Sequence, residues 1–348
     1  MEEKKVMDEQ RRSFLRKTGA AGVVALAAGA SVPERSLAQG AGPGASPGSP
    51  AAPKRMTFVT LRGGDAYSLG VKTDLGILDV AKTAKFFVRS PAPTTIDDLI
   101  RRGDRGLTEL VKVALARRTP EFFVAEDRAE FGPCVTNPEK ILCVGVNYAK
   151  HAREMGATPP KQPVFFNKFN NALNAHQGTV RVSAVPAERF DYESELVIVM
   201  GRKARNVSEA EALSYVFGYC IGHDFTARDL QSRSSQWMIG KTCDGFGLLG
   251  PYLVTADQIP DPNNLKIEGT VNGEVRQSSN TSDMVHNCAT IISYASTLMT
   301  LLPGDVIYTG TPEGVIAGYP KEKQVWLKAG DRLTTTIEKL GTLRFALV

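Results

Sequence analysis

Glu193 and Glu195 stand two apart in Phe190-Asp191-Tyr192-Glu193-Ser194-Glu195-Leu196-Val197-Ile198-Val199-Met200-Gly201, an apolar strand pattern that opens with acids. Successive strand side chains alternate faces, so the two carboxylates project from one side, in a row that Val197 and Val199 continue. Like charges at that separation repel, and burial would raise at least one pKa, unless a cation sits between them. A bound metal answers that problem; the alternative is an edge strand whose polar end faces water. Asp224 follows a second apolar run, 215–222, at a strand end where loops converge, and is a natural third carboxylate. Mg²⁺ and Mn²⁺ favour such oxygen ligands and leave positions for water and substrate. His223 points to the opposite face of a regular strand and reads as a neighbour rather than a ligand.

Ahead of these acids, Ile141-Leu142-Cys143-Val144-Gly145-Val146 reads as a buried strand, followed at once by Asn147-Tyr148-Ala149-Lys150-His151-Ala152-Arg153-Glu154-Met155-Gly156. If that second piece is helical, His151 and Glu154 share a face and can hydrogen-bond, which orients the imidazole and raises its basicity. That is the geometry of a general base with its orienting partner; on a loop helix it is also the geometry of an ordinary solvated pair. Gly156 could act as the hinge of a mobile lid. Lys168 lies in another short strand, 164–169, as an anion contact or a surface lysine whose stem alone is buried. Arg228 and Gln231 fall on one helical turn, placed to reach a substrate carboxylate or to cap a loop. Lys241 is a cation in a glycine-flanked loop between structured segments. The tight loop 309–315 could present backbone N–H groups and hydroxyls, Thr311 among them, to an anion.

The elements that must position these groups follow from patterning. Short apolar runs at 56–61, 67–71 and 76–80, then helical spacing over 95–102 and 106–117, predict a small α+β domain at 54–134 with no defensible site of its own. From 138 to 348 the chain becomes strand-rich. Gly245, Gly247 and Gly250 match G-x-G-x-x-G formally, but Pro251 and a strand-like run follow where a dinucleotide site needs a helix. Asn272-Gly273 signals a hairpin turn. Residues 291–301 read as a helix, and 333–338 and 342–347 as closing strands. The expected class is α+β, a small N-terminal domain followed by a β-rich one.

At 348 residues, 42% hydrophobic and 23% charged, the chain can afford a sizeable core. A formal net charge of +5 without a basic run argues against nucleic acid or an anionic membrane as partner. Residues 1–38 read as a processed address: Arg11-Arg12-Ser13-Phe14-Leu15-Arg16-Lys17, a weakly apolar run of eleven residues at 20–30, and a cleavage-like Ser36-Leu37-Ala38. Eleven residues cannot cross a bilayer as a helix, so no stable membrane insertion is expected. The order resembles a twin-arginine signal, which exports proteins already folded, and predicts a periplasmic location. Residues 39–53, all Gly, Ala, Pro, Ser and Gln, form a flexible tether. The five cysteines are odd in number, show no metal-like spacing and read as mostly buried free thiols.

Taken together, Asn147-Tyr148 with His151 and Glu154, Tyr192-Glu193-Ser194-Glu195-Leu196, Asp224 with Arg228-Asp229 and Gln231, Gly240-Lys241 with Asp244, Asn272-Gly273-Glu274 and Pro303-Gly304-Asp305 with Thr309-Gly310-Thr311-Pro312 resemble the fumarylacetoacetate hydrolase family, over roughly 138–348. The chain departs from that pattern at His223 and in the Asn-rich segment 170–177. The resemblance implies mixed sheets rolled on themselves, a divalent metal (Mg²⁺ or Mn²⁺) and commonly a homodimer. It implies Glu193, Glu195 and Asp224 as metal ligands, His151 and Glu154 as a water-activating dyad on a lid, and Lys241 and Thr311 as substrate contacts; Lys241, placed to hold a departing enolate, counts with the dyad as catalytic, and Lys168, Arg228 and Gln231 are the further candidate substrate contacts. The expected activity is hydrolysis of a C–C bond in a 2,4-dioxo acid. Decarboxylation of an oxaloacetate-like acid, or isomerisation of a 2-hydroxymuconate-like one, is the alternative on the same site. A third reading, a metal-binding protein without turnover, leaves the His151-Glu154 pair without a purpose.

Overall fold

The structure, a computed structural model, describes residues 52–87 and 91–348; the signal-like segment and the tether up to residue 51 lie outside the described residues. The described chain opens with a meander, β1 (Thr57–Gly63), β2 (Ala66–Thr73) and β3 (Gly76–Asp79), and three helices, α1 (Val80–Phe86), α2 (Ile96–Arg102) and α3 (Leu107–Arg117). Thr95 caps α2, its side chain accepting from Asp98 N, which satisfies a donor that a helix start leaves open. A two-residue strand, β4 (Phe123–Val124), closes this part by pairing with β3.

The site-bearing part contains β5 (Ile141–Gly145), α4 (Ala149–Glu154), β6 (Val164–Lys168), β7 (Leu173–Ala175), β8 (Thr179–Val180), β9 (Phe190–Asp191) and β10 (Ser194–Met200). It continues through α5 (Glu209–Ala212), β11 (Val216–Asp224), β12 (Thr226–Ala227), α6 (Arg228–Gln231), α7 (Met238–Lys241) and β13 (Gly247–Thr255). It ends with β14 (Lys266–Val271), β15 (Glu274–Asn280), α8 (Cys288–Leu298), β16 (Val306–Tyr308), β17 (Arg332–Ile337) and β18 (Gly341–Leu347).

One mixed sheet runs β4-β3-β2-β1-β13-β11-β10-β16-β5-β6, with β7 added alongside β13. A second runs β15-β14-β17-β18-β8, and β9 and β12 form a short ribbon. The N-terminal meander therefore shares a sheet with the acid-bearing strands, through β1 on β13. Its helices bury Ile96, Leu99, Leu107 and Leu110 in a cluster that reaches Val197 and Val199 of β10, while Leu196, Ile198 and Met200 face a second cluster holding Leu333, Leu343 and Phe345. β10 is thus covered on both sides, and its unbroken apolar run reflects that rather than an edge. The α+β class and the mixed sheets agree with the expected architecture.

The strand boundaries expected from the sequence hold to within a few residues, and Asn272 and Gly273 turn the β14–β15 hairpin with φ of 52° and 84°. One local expectation changes. Lys241 ends a single helical turn, α7, rather than sitting in a loop. That turn exists because Gly240 lets it close onto α6: a Cβ there would strike the backbone of Gln231 and Ala227. The glycine triplet at 245–250 runs into β13, which holds Gly247 and Gly250, and as expected no helix follows it. All five cysteines are free, four of them buried. Among the described residues no helix is long and apolar enough to cross a membrane.

Candidate metal and acid-base site

Strand register assembles the acids. Ser194 pairs with His223 and Glu195 with Gly222, and Asp224 N donates to Glu193 O at 2.9 Å, so Asp224 lies across from Glu193 and shares its face. Gly222 leaves the position opposite Glu195 open; a Cβ there would collide with Val197 and Tyr308. Glu193, Glu195 and Asp224 are all buried, and one oxygen of each lies within 4.8 Å of the others. His223 faces the other way, its Nδ1 3.1 Å from Thr335 Oγ1 and its Nε2 accepting from Glu193 N at 3.2 Å.

Three cations press on this cluster. Lys241 Nζ donates to Glu193 Oε2 at 2.6 Å and to Asp224 Oδ2 at 2.9 Å. Arg228 lies 2.7 Å from Glu193 Oε1 and donates to Asp191 Oδ2 at 2.8 Å. Lys168 Nζ is 2.5 Å from Asp224 Oδ1 as an ion pair, without the angles of a hydrogen bond, so that oxygen keeps an open lone pair. Glu195 is different. Among the described residues it meets no lysine, arginine or histidine at ion-pair distance, and its one donor is Gly310 N at 2.7 Å.

The electrostatics follow from this pairing. Burial pushes the Glu193 carboxyl up, but Lys241 and Arg228 outweigh it and hold the group below its ordinary value. Burial, then the charges of Asp224 and Glu193, drive Glu195 well above the usual carboxylate range. Burial would lower Lys241, yet Asp224 and Glu193 keep it raised. A buried three-carboxylate set of hard oxygens, with one member lacking a counter-charge and another an open lone pair, fits a divalent cation of the Mg²⁺ or Mn²⁺ kind.

The acid-base pair arrives from the other side. His151 Nδ1 is 3.2 Å from Glu154 Oε2, as the spacing on α4 predicts. Glu154 is itself held by Gly314 N, at 2.9 Å from Oε1 and 3.1 Å from Oε2. His151, Glu193, Glu195, Arg228, Lys241 and Thr311 border one cavity of about 130 Å³, closed on its apolar side by Met155, Phe166 and Trp237. Trp237 packs edge-on against Phe166, with ring centroids 5.6 Å apart, and covers Gly145 where a side chain has no room.

The expected substrate contacts divide. Gln231 lines the cavity and accepts from Arg228 at 3.1 Å. Arg228 lines it too, but its guanidinium lies on Asp191 and Glu193. Lys168 is not among the lining residues; its ammonium sits behind Asp224 and donates to the carbonyls of Lys241 and Phe246. Thr311 lines the cavity while its hydroxyl donates to Ser194 O at 3.0 Å and accepts from Gln277 at 2.9 Å. The loop 309–315 does present N–H groups to anions, and they are the chain's own: Gly310 to Glu195 and Gly314 to Glu154. Asp191 was not singled out from the sequence, although it lies in the same acidic opening. It accepts from Arg228, Ile316 N (2.9 Å) and Ala317 N (3.0 Å), and so ties the cluster to that loop. Trp237 carried no sequence signal, because its role comes from the fold alone.

Residues 140–348 match the family model described as fumarylacetoacetate (FAA) hydrolase C-terminal. The mitochondrial oxaloacetate tautomerase Fahd2a of Rattus norvegicus is 39% identical over 252 residues, 72% of this chain and 79% of the rat protein. The fumarylacetoacetate hydrolase structure from Exiguobacterium antarcticum superposes with a TM-score of 0.67 at 32% identity, covering 84% of this chain and 99% of its own. A maleylpyruvate hydrolase from a Sphingobium species, solved with manganese(II) and pyruvate, has a TM-score of 0.66 at 31% identity over the same shares.

Proposed function

Since this chain belongs to the fumarylacetoacetate hydrolase family of enzymes, we propose that it acts with a divalent metal on a short 2-oxo acid, interconverting its enol and keto forms. The observation that carries this reading is the small cavity that His151 shares with Glu193 and Glu195, two of the three clustered buried carboxylates. The cavity is small, about 130 Å³, which suits a short acid. The resemblance to an oxaloacetate tautomerase supports the same choice.

Glu193, Glu195 and Asp224 would hold the cation, whose Lewis acidity would polarise the 2-oxo group and favour its enolate. The chain's own residues do the rest. Glu154 accepts from His151 Nδ1–H, which leaves Nε2 as the basic nitrogen inside the cavity. Nε2 takes a proton from the carbon beside the 2-oxo group, the enolate oxygen takes one from solvent to give the enol, and the imidazolium returns its proton to the solvent; the reverse sense runs the same transfers backwards. Lys241, kept charged by its carboxylate partners, adds positive potential beside the developing oxyanion. Met155, Phe166 and Trp237 keep bulk water from the carbanion.

Hydrolysis of a 2,4-dioxo acid is the second reading, favoured by the same His151-Glu154 pair, since Nε2 can equally take its proton from a water. Incubation with Mg²⁺ separates the readings. Loss of the enol absorbance of oxaloacetate without release of CO₂ supports tautomerisation, and CO₂ with pyruvate indicates decarboxylation. Pyruvate with a second acid from 2,4-dioxo acids indicates hydrolysis, and no turnover of any of them sinks all three. Export by way of Arg11-Arg12 and pairing into a homodimer belong to the same proposal; cell fractionation and sedimentation test them.

A further inference from the structure

Glu154 does two things at once: it accepts from His151 and it is docked on Gly314 N. The place where it docks is shaped by a residue with no role assigned so far. Gly318 ends the short turn Ile316–Gly318, and an alanine Cβ built there would fall on Cγ and Cδ of Glu154 and come 2.7 Å from Oε2. The turn is not free to give way, because Ile316 N and Ala317 N are held by Asp191, which is held in turn by Arg228. Gly314 is fixed as well: its φ is 99°, and a Cβ there would strike Arg276 O. One face of the loop therefore has the width of a carboxylate and no more.

We infer that Gly318 is a positioning residue for the acid-base pair: its missing side chain is the berth in which Glu154 must sit to reach Gly314 N–H and His151 together. α4 then carries an oriented base only while Glu154 is docked there. The same loop grips Glu195 through Gly310 N, so the berth and the carboxylate cluster share one rigid support. The inference rests on the proposed acid-base role of His151, and its test includes readouts that need no turnover.

Gly318 has no left-handed φ, so alanine suits its backbone, and the three atoms nearest the added Cβ all belong to Glu154. In the full chain with Mg²⁺, Gly318→Ala should lower kcat on enol-oxaloacetate roughly tenfold or more, leaving KM and the affinity for oxalate, a planar enolate mimic, unchanged. Hydrogen exchange at the Gly314 amide should rise to the level of Glu154→Ala. In the Glu154→Ala background, adding Gly318→Ala should change neither kcat nor exchange. The inference is overturned if Gly318→Ala leaves Gly314 protected, if kcat holds at the wild-type value, or if the two losses multiply. Should Gly318→Ala not fold, Glu154→Ala alone decides: an unchanged Gly314 amide overturns the docking. If wild-type protein turns over no 2-oxo acid, the proposed reaction fails while the exchange result still judges the berth.

Discussion

Glu195 is the carboxylate on which the metal reading turns at the scale of single residues. Glu193 and Asp224 have cations against them; Glu195 has the Gly310 N–H and two like charges nearby, with Lys241 acting on it only from beyond ion-pair distance. Its folded pKa lies above the ordinary 4.5, so the metal-free native state binds more protons than the unfolded one as pH rises past that value. The Glu195 contribution to stability without metal must then fall with rising pH. Glu195→Gln removes that penalty, and the metal-free variant should melt higher than wild type by a margin that widens above pH 4.5. Added Mn²⁺ should reverse the order. Wild type gains about 2.7 kcal/mol at a hundredfold excess over Kd, and the variant gains almost nothing. Thermal melts with and without Mn²⁺ read both effects, and an unchanged Mn²⁺ response in Glu195→Gln would remove Glu195 from the ligand set.

At the scale of elements, the turn from β5 into α4 sets where His151 stands. Val146 takes a φ of 54°, a left-handed conformation that a β-branched residue adopts only when its surroundings impose it. Asn147 imposes it. Its side chain donates to His286 O (3.0 Å) and Thr309 O (2.7 Å) and accepts from His286 N (2.9 Å), all buried. Asn147→Ala loses three hydrogen bonds at about 1 kcal/mol each, so urea denaturation should show a loss on the order of 3 kcal/mol, with kcat falling as α4 loosens; a loss under about 0.5 kcal/mol would contradict the role. Much of this layer could be read in the sequence, because period-two alternation placed Glu193 and Glu195 on one face and three-residue spacing joined His151 to Glu154. Asp224 was readable as a strand end. The contributions of Gly318, Trp237 and Asp191 could not be read, since each depends on a partner more than thirty positions away brought close by sheet register. Lys168 read as a surface or substrate lysine because nothing local reveals that β6 ends directly behind Asp224.

At the scale of the molecule, two buried histidines pin the two large sheets together. His223 of β11 reaches Thr335 of β17 and lies against Phe345, ring centroids 4.7 Å apart. His176, just after β7, accepts from Arg344 N of β18 at 3.1 Å and packs edge-on against Phe131. Both must stay neutral to accept those bonds, and burial lowers His176 to about 4 and His223 to about 3. The unfolded chain therefore binds more protons at these two positions below pH 6.5, and the histidines' contribution to stability should decline as pH falls from 6.5 toward 4, opposite in sign to that of Glu195. His176→Gln, which keeps an acceptor but does not titrate, should flatten part of that decline in melts at stepped pH. A slope identical to wild type would exclude His176 as a contributor.

The most direct measurement is deuterium incorporation from D₂O at the carbon beside the 2-oxo group of short 2-oxo acids, followed by proton NMR in the presence of Mg²⁺. Wild-type protein should catalyse the exchange only with metal present, and Glu195→Gln and His151→Ala should each abolish it. Exchange that persists without metal or without His151, or wild-type protein that catalyses none, would contradict enolate chemistry at this site.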